Sequence, residues 1–201
     1  MSTLETKTRY TPEDLLAMPD DGKDYELVDG ELVERNMGWY ATWIGGRLYK
    51  LLTNYCDDKG LGWTAPGDAS YQCFPDDPKK VRKADVSFIR IERLSPGQEP
   101  QGHCRIPPDL AVEVVSPNDL YSEVEAKVGE YLGAGVRLVW IIDPPTRSVR
   151  VHRANGTVAD LEEKDELSGE EVIPGFHCRV GELFAAPTEA GKIQKELRKS
   201  D

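Results

Sequence analysis

Two apolar runs joined by a helical segment constrain the fold of this chain more than any other feature of its sequence. The runs span residues 110–115 and 137–142, and their valine, isoleucine and leucine content is typical of buried strands. Residues 122–132 between them have helical character, with Ser122 and Glu125 spaced as in a capping box. A strand, a helix and a second strand in this order predict a parallel strand pair joined by a crossover helix.

The remaining segments predict a mixed sheet with two more helices. Further strands are expected over residues 63–74, 84–91 and 148–153, joined mostly by short turns that give antiparallel neighbours. Helices are expected at 10–18 and 40–58, and a hairpin is expected around Asp29-Gly30. The acidic segment 154–171 and the polar tail from residue 187 onward do not resemble core.

Composition excludes several classes of protein. With 25 Lys and Arg against 36 Asp and Glu in 201 residues, the net charge is −11, which argues against coating nucleic acid through charge alone. No segment approaches the roughly 20 apolar residues of a membrane-spanning helix, and the first nine residues lack the apolar segment of a secretory signal. The 4 cysteines include no Cys-x-x-Cys pair, which favours free thiols over a zinc site. We therefore expect a cytoplasmic protein that does not enter membranes.

Two carboxylates stand inside predicted strands, where an ionised side chain is costly unless a cation or hydrogen-bond donors meet it. Glu113 alternates with Ala111 and Val115 on one face of its strand, and Asp85 opens the strand that follows it. Two strand carboxylates on one sheet face are the arrangement that hard divalent cations need. Taken singly, each has an ordinary alternative, since Glu113 on an edge strand would face water and Asp85 would be a strand-entry residue.

Lys127 and Glu26 are two further candidates. Lys127 lies 14 residues after Glu113, on the helix that follows its strand, so its ammonium could return to the carboxylates and stabilise charge on a phosphate. A surface pair with Glu123, one helical turn earlier, explains the same spacing equally well. Glu26 lies in the first strand of the predicted hairpin, where alternation with Leu27 allows it to be partly buried.

A basic run directly precedes Asp85 and reverses the sign of the local charge. It consists of Lys79, Lys80, Arg82 and Lys83. Such a run could place positive charge at the mouth of a carboxylate site, as a phosphodiester backbone requires. A solvated loop is the alternative interpretation.

Several motifs, taken in order, resemble the Uma2 family of restriction-endonuclease-like proteins. They are YELVDGE at 25–31, KADVSFI at 83–89, PDLAVEVVSP at 108–117, the helical Lys127, YLGAGV at 131–136 and VWIIDP at 139–144. The resemblance covers about residues 8–185, and the order and spacing of the motifs make it specific. Family members often have His near Tyr40 and Asp at Glu123, so this chain departs from the pattern at two positions.

The resemblance implies an α/β (α+β) fold of the restriction-endonuclease-like type, because the family is similar to the PD-(D/E)XK nucleases. It implies a mixed central sheet flanked by helices, in a single domain over residues 1–186 with a polar tail at 187–201. In this family the motif lysine is displaced to the following helix, since Val115 stands at its usual position. The implied roles are Asp85 and Glu113 as ligands of Mg²⁺ or Mn²⁺, Glu26 as an additional acid, and Lys127 as the lysine of the site.

The function that this resemblance implies is metal-dependent hydrolysis of phosphodiester bonds in DNA, with a homodimer as the form that cuts both strands. A second hypothesis is a binding or assembly protein on a nuclease-like scaffold with weak or lost catalysis, which the acidity favours. A third takes Asp85 and Glu113 as a glycosidase acid–base pair, but no loop-borne aromatic platform for a sugar accompanies either residue.

Overall fold

A six-stranded mixed sheet is the centre of the computed structural model, which describes residues 9–187. The helices are α1 (Pro12–Ala17), α2 (Trp39–Lys59), α3 (Tyr121–Gly133) and α4 (Val180–Phe184). The strands are β1 (Tyr25–Val28), β2 (Glu31–Glu34), β3 (Gly62–Pro66), β4 (Ser70–Tyr71), β5 (Arg82–Lys83), β6 (Val86–Arg90), β7 (Leu110–Val114), β8 (Leu138–Asp143), β9 (Ser148–Arg153), β10 (Val158–Leu161), β11 (Glu166–Ser168) and β12 (His177–Arg179).

The predicted crossover is present at the middle of this sheet. Its strand order is β10-β9-β8-β7-β6-β3, and β7 pairs with β8 in parallel while the other neighbours are antiparallel. Helix α3 connects the parallel pair. The predicted capping box at its start is wrong, because α3 begins one residue earlier with Leu120 as its cap and no side-chain cap hydrogen bond. Ser122 therefore lies within the first turn.

The two faces of the sheet carry separate apolar clusters. On one face, α2 contributes Ile44, Leu48 and Leu52, which are fully buried among side chains such as Trp140. On the other face, α3 packs Tyr131 into a second cluster. Since every residue of β7 is buried, a carboxylate on this strand must find its partners inside the protein.

The Asp29-Gly30 hairpin forms as predicted and lies beside the sheet. Asp29 and Gly30 have φ values of 52° and 78°, the left-handed conformations that the tight turn of a two-residue hairpin requires. Its strand β1 bridges to the chain just before β5, where Leu27 and Val81 exchange backbone hydrogen bonds of 2.9 and 2.8 Å. This bridge holds Glu26 next to the segment that leads into Asp85.

The acidic segment 154–171 does contribute to the core, so that prediction is wrong. Strand β10 pairs with β9 at the edge of the central sheet, and β11 pairs with β12. Leu167 in β11 is fully buried in the apolar cluster on the α2 side of the sheet. A single apolar side chain therefore anchors this otherwise acidic strand to the core.

Of the predicted polar tail, only residue 187 lies within the described residues. Among the described helices, none is long and apolar enough to cross a membrane.

Candidate active site

Four separate elements bring the predicted acids and the predicted lysine together at one cavity of about 300 Å³. Glu26 comes from β1, Asp85 directly precedes β6, Glu113 lies on β7 and Lys127 lies on α3. The three acids are buried, with 1%, 7% and 7% of their surface exposed, and the Lys127 side chain is 19% exposed. Burying three carboxylates is possible only where cations and hydrogen-bond donors surround them.

Asp85 joins the end of β7 to a buried arginine. Its Oδ2 accepts a 2.6 Å hydrogen bond from the backbone N–H of Val114, and its Oδ1 lies 2.6 Å from Nη2 of Arg35. Burial and the neighbouring Glu113 charge raise the pKa of Asp85 to about 7, although the Arg35 guanidinium opposes the rise. Near neutral pH a proton therefore competes with any cation that would bind this carboxylate.

Glu113 is held by two donors from one face of α3. Its Oε2 lies 3.0 Å from Nζ of Lys127, and its Oε1 accepts a 2.8 Å hydrogen bond from the hydroxyl of Tyr131. The two donors meet one carboxylate because they are four residues apart on a helix. Burial opposes the Lys127 charge, but the carboxylates of Glu113 and Glu26 outweigh it and raise the pKa of Lys127, so the ammonium stays protonated.

Glu26 is the most deeply buried of the three acids. Its Oε1 accepts a 2.8 Å hydrogen bond from the backbone N–H of Lys83, and its Oε2 lies 2.9 Å from Nη1 of Arg82. Nζ of Lys127 is 3.5 Å from its Oε1. Although burial alone would raise the pKa of Glu26, the charges of Lys127 and Arg82 lower it, so the carboxylate remains ionised.

Arg35 is a member of the site that the sequence analysis missed. Its Nη1 lies 2.8 Å from Oδ2 of Asp24 and 3.0 Å from the carbonyl oxygen of Gly67, while Nη2 contacts Asp85. Its position after the polar end of β2 resembles a surface site, yet only 7% of its side chain is exposed. The register of the hairpin could have indicated this role. Pairing of Tyr25 with Glu34 places the acidic Asp24 opposite Arg35.

Tyr131 was also missed, although it lies in one of the family-like motifs and four residues after Lys127. The two departures from that pattern differ in their surroundings. Glu123 lines the cavity, whereas Tyr40 stacks on Trp43 with ring centroids 5.8 Å apart and does not line it.

Of the basic run that is predicted to place positive charge at the mouth of the site, Arg82 lines the cavity and the other three residues do not. Lys80 and Arg82 are buried and pair with Glu130 of α3 at 3.0 and 2.7 Å, and Lys83 pairs with Asp24. Lys79 alone of the four is exposed. The reason is that acidic residues distant in sequence pair with these cations in the folded protein. Three of the four cations therefore stabilise acidic side chains of the site and the position of α3.

The donor set fits a single hard divalent cation that keeps much of its water. Asp85 and Glu113 supply carboxylate oxygens, each of which has one protein partner and a remaining lone pair. Magnesium commonly binds proteins through one or two carboxylates and several waters. Within residues 9–187 no group of three or more acid, histidine or cysteine side chains is arranged to hold a metal ion by itself.

Comparisons with known proteins find a family model and a solved structure that are similar to this chain. Residues 12–181 match the model of the Uma2 family, described as "Putative restriction endonuclease". The chain is similar to a crystal structure described as a "putative nuclease belonging to DUF820" from Anabaena variabilis, with a TM-score of 0.73 and 18% identity over 87% of this chain and 97% of that chain. At that identity the similarity concerns the fold, and it confirms the predicted mixed α+β architecture. No curated protein matches the chain.

Proposed function

The chain belongs to the Uma2 family, and from that premise we propose that it hydrolyses phosphodiester bonds in DNA with the help of a bound divalent cation. The observation that carries the proposal is the convergence of Glu26, Asp85, Glu113 and Lys127, from four elements, on one cavity. Three buried carboxylates beside a half-buried ammonium are a costly way to fill this space, since well-packed apolar side chains often serve at least as well. We therefore attribute these four residues to chemistry at the cavity.

In this proposal Asp85 and Glu113 hold Mg²⁺ or Mn²⁺, and Glu26 supports them from behind. Such an ion would supply an activated water and neutralise charge on the phosphate that is attacked. Because all three acids line the cavity, this is where a substrate would meet them.

Lys127 performs the protein's own part of this chemistry. Its ammonium is held between Glu113 at 3.0 Å and Glu26 at 3.5 Å, so it is charged and fixed in direction. From there it can orient a water or stabilise negative charge that develops on a phosphate oxygen. Tyr131 fixes the other oxygen of Glu113, which sets the orientation of the whole carboxylate.

Cleavage of single-stranded and double-stranded DNA with Mg²⁺ or Mn²⁺ tests the proposal. We expect Asp85→Asn and Lys127→Ala each to reduce the rate by about 100-fold or more, as loss of a metal ligand or a charge-stabilising group does. Asp160→Asn and Lys23→Ala are matched controls, because each changes an exposed, ion-paired residue of the same type. Unchanged rates in both site variants would refute the assignment.

A second candidate function is nucleic-acid binding or assembly without catalysis on the same scaffold. One observation favours it: all four oxygens of Asp85 and Glu113 already accept protein donors. Calorimetry distinguishes the two, because a folded protein that takes up no Mn²⁺ and cuts no DNA supports the second candidate. Light scattering would show whether a homodimer supplies the two sites that a double-strand cut needs.

A further inference from the structure

Arg35 separates two cavities that meet at Asp85. The first is the cavity of the acids and Lys127. The second, of about 310 Å³, lies along α2 and is lined by residues that include Gly45, Gly46 and Tyr49. Arg35 and Asp85 line both cavities. The ion pair between them is therefore part of the wall that the two cavities share.

The two ends of the Arg35 guanidinium are held differently. Nη1 is anchored by Asp24 at 2.8 Å and by the carbonyl oxygen of Gly67 at 3.0 Å. Nη2 contacts Asp85 at 2.6 Å and the sulfur of Met37 at 3.8 Å, while Nε lies 3.9 Å from Oε1 of Glu26. The contact with Asp85 can thus be released while the other end of the guanidinium remains in place.

Arg35 also supplies the formal positive charge in direct contact with Asp85. The other oxygen of this carboxylate accepts from the backbone N–H of Val114, which carries no net charge. A divalent cation at Asp85 would stand close to the guanidinium, and like charges at such separations repel strongly in a buried site. The arginine and the metal ion therefore compete for the same carboxylate.

We propose that Arg35 is the resting counter-ion of Asp85, that it is displaced from this carboxylate when the metal ion binds, and that its freed Nη2 group then contacts a phosphate oxygen of the substrate. The inference rests on the proposed function, since it needs a metal ion at Asp85 and Glu113. A guanidinium matches phosphate geometry and stays protonated throughout. Because Nη1 keeps its anchors, the freed group stays at the boundary of the two cavities, where a nucleic-acid strand passing Asp85 would lie.

Titration of the metal-free protein with Mn²⁺ by calorimetry tests the competition directly. At a pH high enough to ionise Asp85 in both proteins, we expect Arg35→Gln to bind Mn²⁺ roughly tenfold more tightly than the unchanged chain, since a unit charge beside the metal is removed. Arg93→Gln is the matched control, because Arg93 pairs with the buried Asp109 at 3.0 Å and lines neither cavity. It should leave the affinity unchanged. Equal or weaker binding by Arg35→Gln would overturn the inference.

The rise in melting temperature that saturating Mn²⁺ produces is a readout that a purely structural role for Arg35 would not move. Arg35→Gln should lower the melting temperature of the metal-free protein, and Mn²⁺ should raise it by more than it raises that of the unchanged chain, because the variant binds the ion more tightly. An equal or smaller rise in the variant would contradict the proposal. If Arg35→Gln does not fold, Arg35→Lys replaces it, with a smaller gain in affinity expected because the charge remains but the two-ended contact is lost.

Activity separates this inference from the proposed function on which it rests. Arg35→Gln should bind the metal more tightly yet cleave DNA more slowly at saturating Mn²⁺, with KM for DNA raised. If the unchanged chain neither binds Mn²⁺ nor cuts DNA, and Arg35→Gln behaves likewise, the proposed function and this inference both fail. If the unchanged chain binds and cuts while Arg35→Gln shows no gain in affinity, only the role of Arg35 fails.

Discussion

Asp85 combines burial, a neighbouring carboxylate and an arginine at one side chain, and this combination makes metal binding depend on pH. Burial first, and the Glu113 charge second, raise the pKa of Asp85 to about 7. Below that pH the carboxyl holds a proton that a metal ion must displace, and above it the carboxylate is ionised and paired with Arg35. The affinity for Mn²⁺ should therefore rise between about pH 6 and pH 8, and the proton released per ion bound should fall from about one toward zero across this range.

Calorimetry in two buffers of different ionisation enthalpy measures the proton release. In Asp85→Asn the pH dependence should disappear together with most of the binding. Binding that is equally tight across this range in the unchanged chain would contradict a raised pKa of Asp85, and unchanged binding in Asp85→Asn would show that Asp85 is not a ligand.

Tyr131 offers a second test at the level of a single atom. Tyr131→Phe keeps the ring, which packs near Phe74 with centroids 6.1 Å apart, and removes the hydroxyl that holds Glu113. We expect a loss of about tenfold in Mn²⁺ affinity, as is usual when a residue that orients a ligand is changed. Loss of the buried hydrogen bond should also cost about 1–2 kcal/mol of unfolding free energy.

Tyr71→Phe is the matched control for this change. Tyr71 is buried, and its hydroxyl lies 2.6 Å from Oγ of Ser87, but it does not line the cavity of the site. Urea denaturation should give a similar loss of stability for both variants, while metal titration should separate them. An equal effect on metal affinity in both would remove Tyr131 from the site.

At the scale of elements, α2 carries glycines whose roles differ. Gly46 is exposed, and a Cβ built there meets nothing within 4 Å, so Gly46→Ala should stabilise the helix by about 0.5–1 kcal/mol. Gly129→Ala in α3 has the same open surroundings and should give a similar gain. Gly60 ends α2 at φ 61°, where an alanine is strained, so Gly60→Ala should destabilise the protein. Urea denaturation measures all three, and a gain at Gly60 would contradict the argument.

Elements with strong local signals could be predicted, and elements set by distant partners could not. The Asp29-Gly30 hairpin follows from turn chemistry alone, and the crossover through α3 follows from the alternation of strand and helix. The start of α3 could not be predicted, because a turn in which Asp119 accepts a 2.8 Å hydrogen bond from the N–H of Ser116 precedes it. Local sequence favours Ser122 as the cap, but the first helical turn closes on the carbonyl oxygen of Leu120, which accepts hydrogen bonds from the N–H groups of Glu123 and Val124.

The same distinction explains which site residues were found. Asp85 and Glu113 stand out because each interrupts or opens an apolar strand, whereas Arg35 lies in a polar stretch and acquires its role only from the fold. The burial of Lys80 and Arg82 in the basic run could not be predicted for a related reason. Glu130, which pairs with Arg82, is 48 residues away in sequence, and no local pattern joins them.

At the scale of the whole molecule, the net charge of −11 coexists with a site proposed to act on a polyanion. Because Lys80, Arg82 and Lys83 are committed to internal ion pairs, few cations remain at the cavity mouth to contact phosphates. We therefore expect weak DNA binding with a shallow salt dependence, corresponding to fewer than about three phosphate contacts. Fluorescence anisotropy across a range of salt concentrations measures the slope. A steep slope would point to a basic surface elsewhere on the protein.

Helix α3 presents Lys127, Glu130 and Tyr131 on one face, and this arrangement limits how the gene can change over time. Lys127 and Tyr131 contact Glu113, and Glu130 pairs with Arg82. Inserting or deleting one residue before them would turn all three by about 100° around the helix axis and separate every one from its partner. Substitutions on the solvent side of α3 leave that geometry intact. We expect descendants of this sequence to vary freely in the outward residues of α3 while keeping its length from Tyr121 to Tyr131 constant.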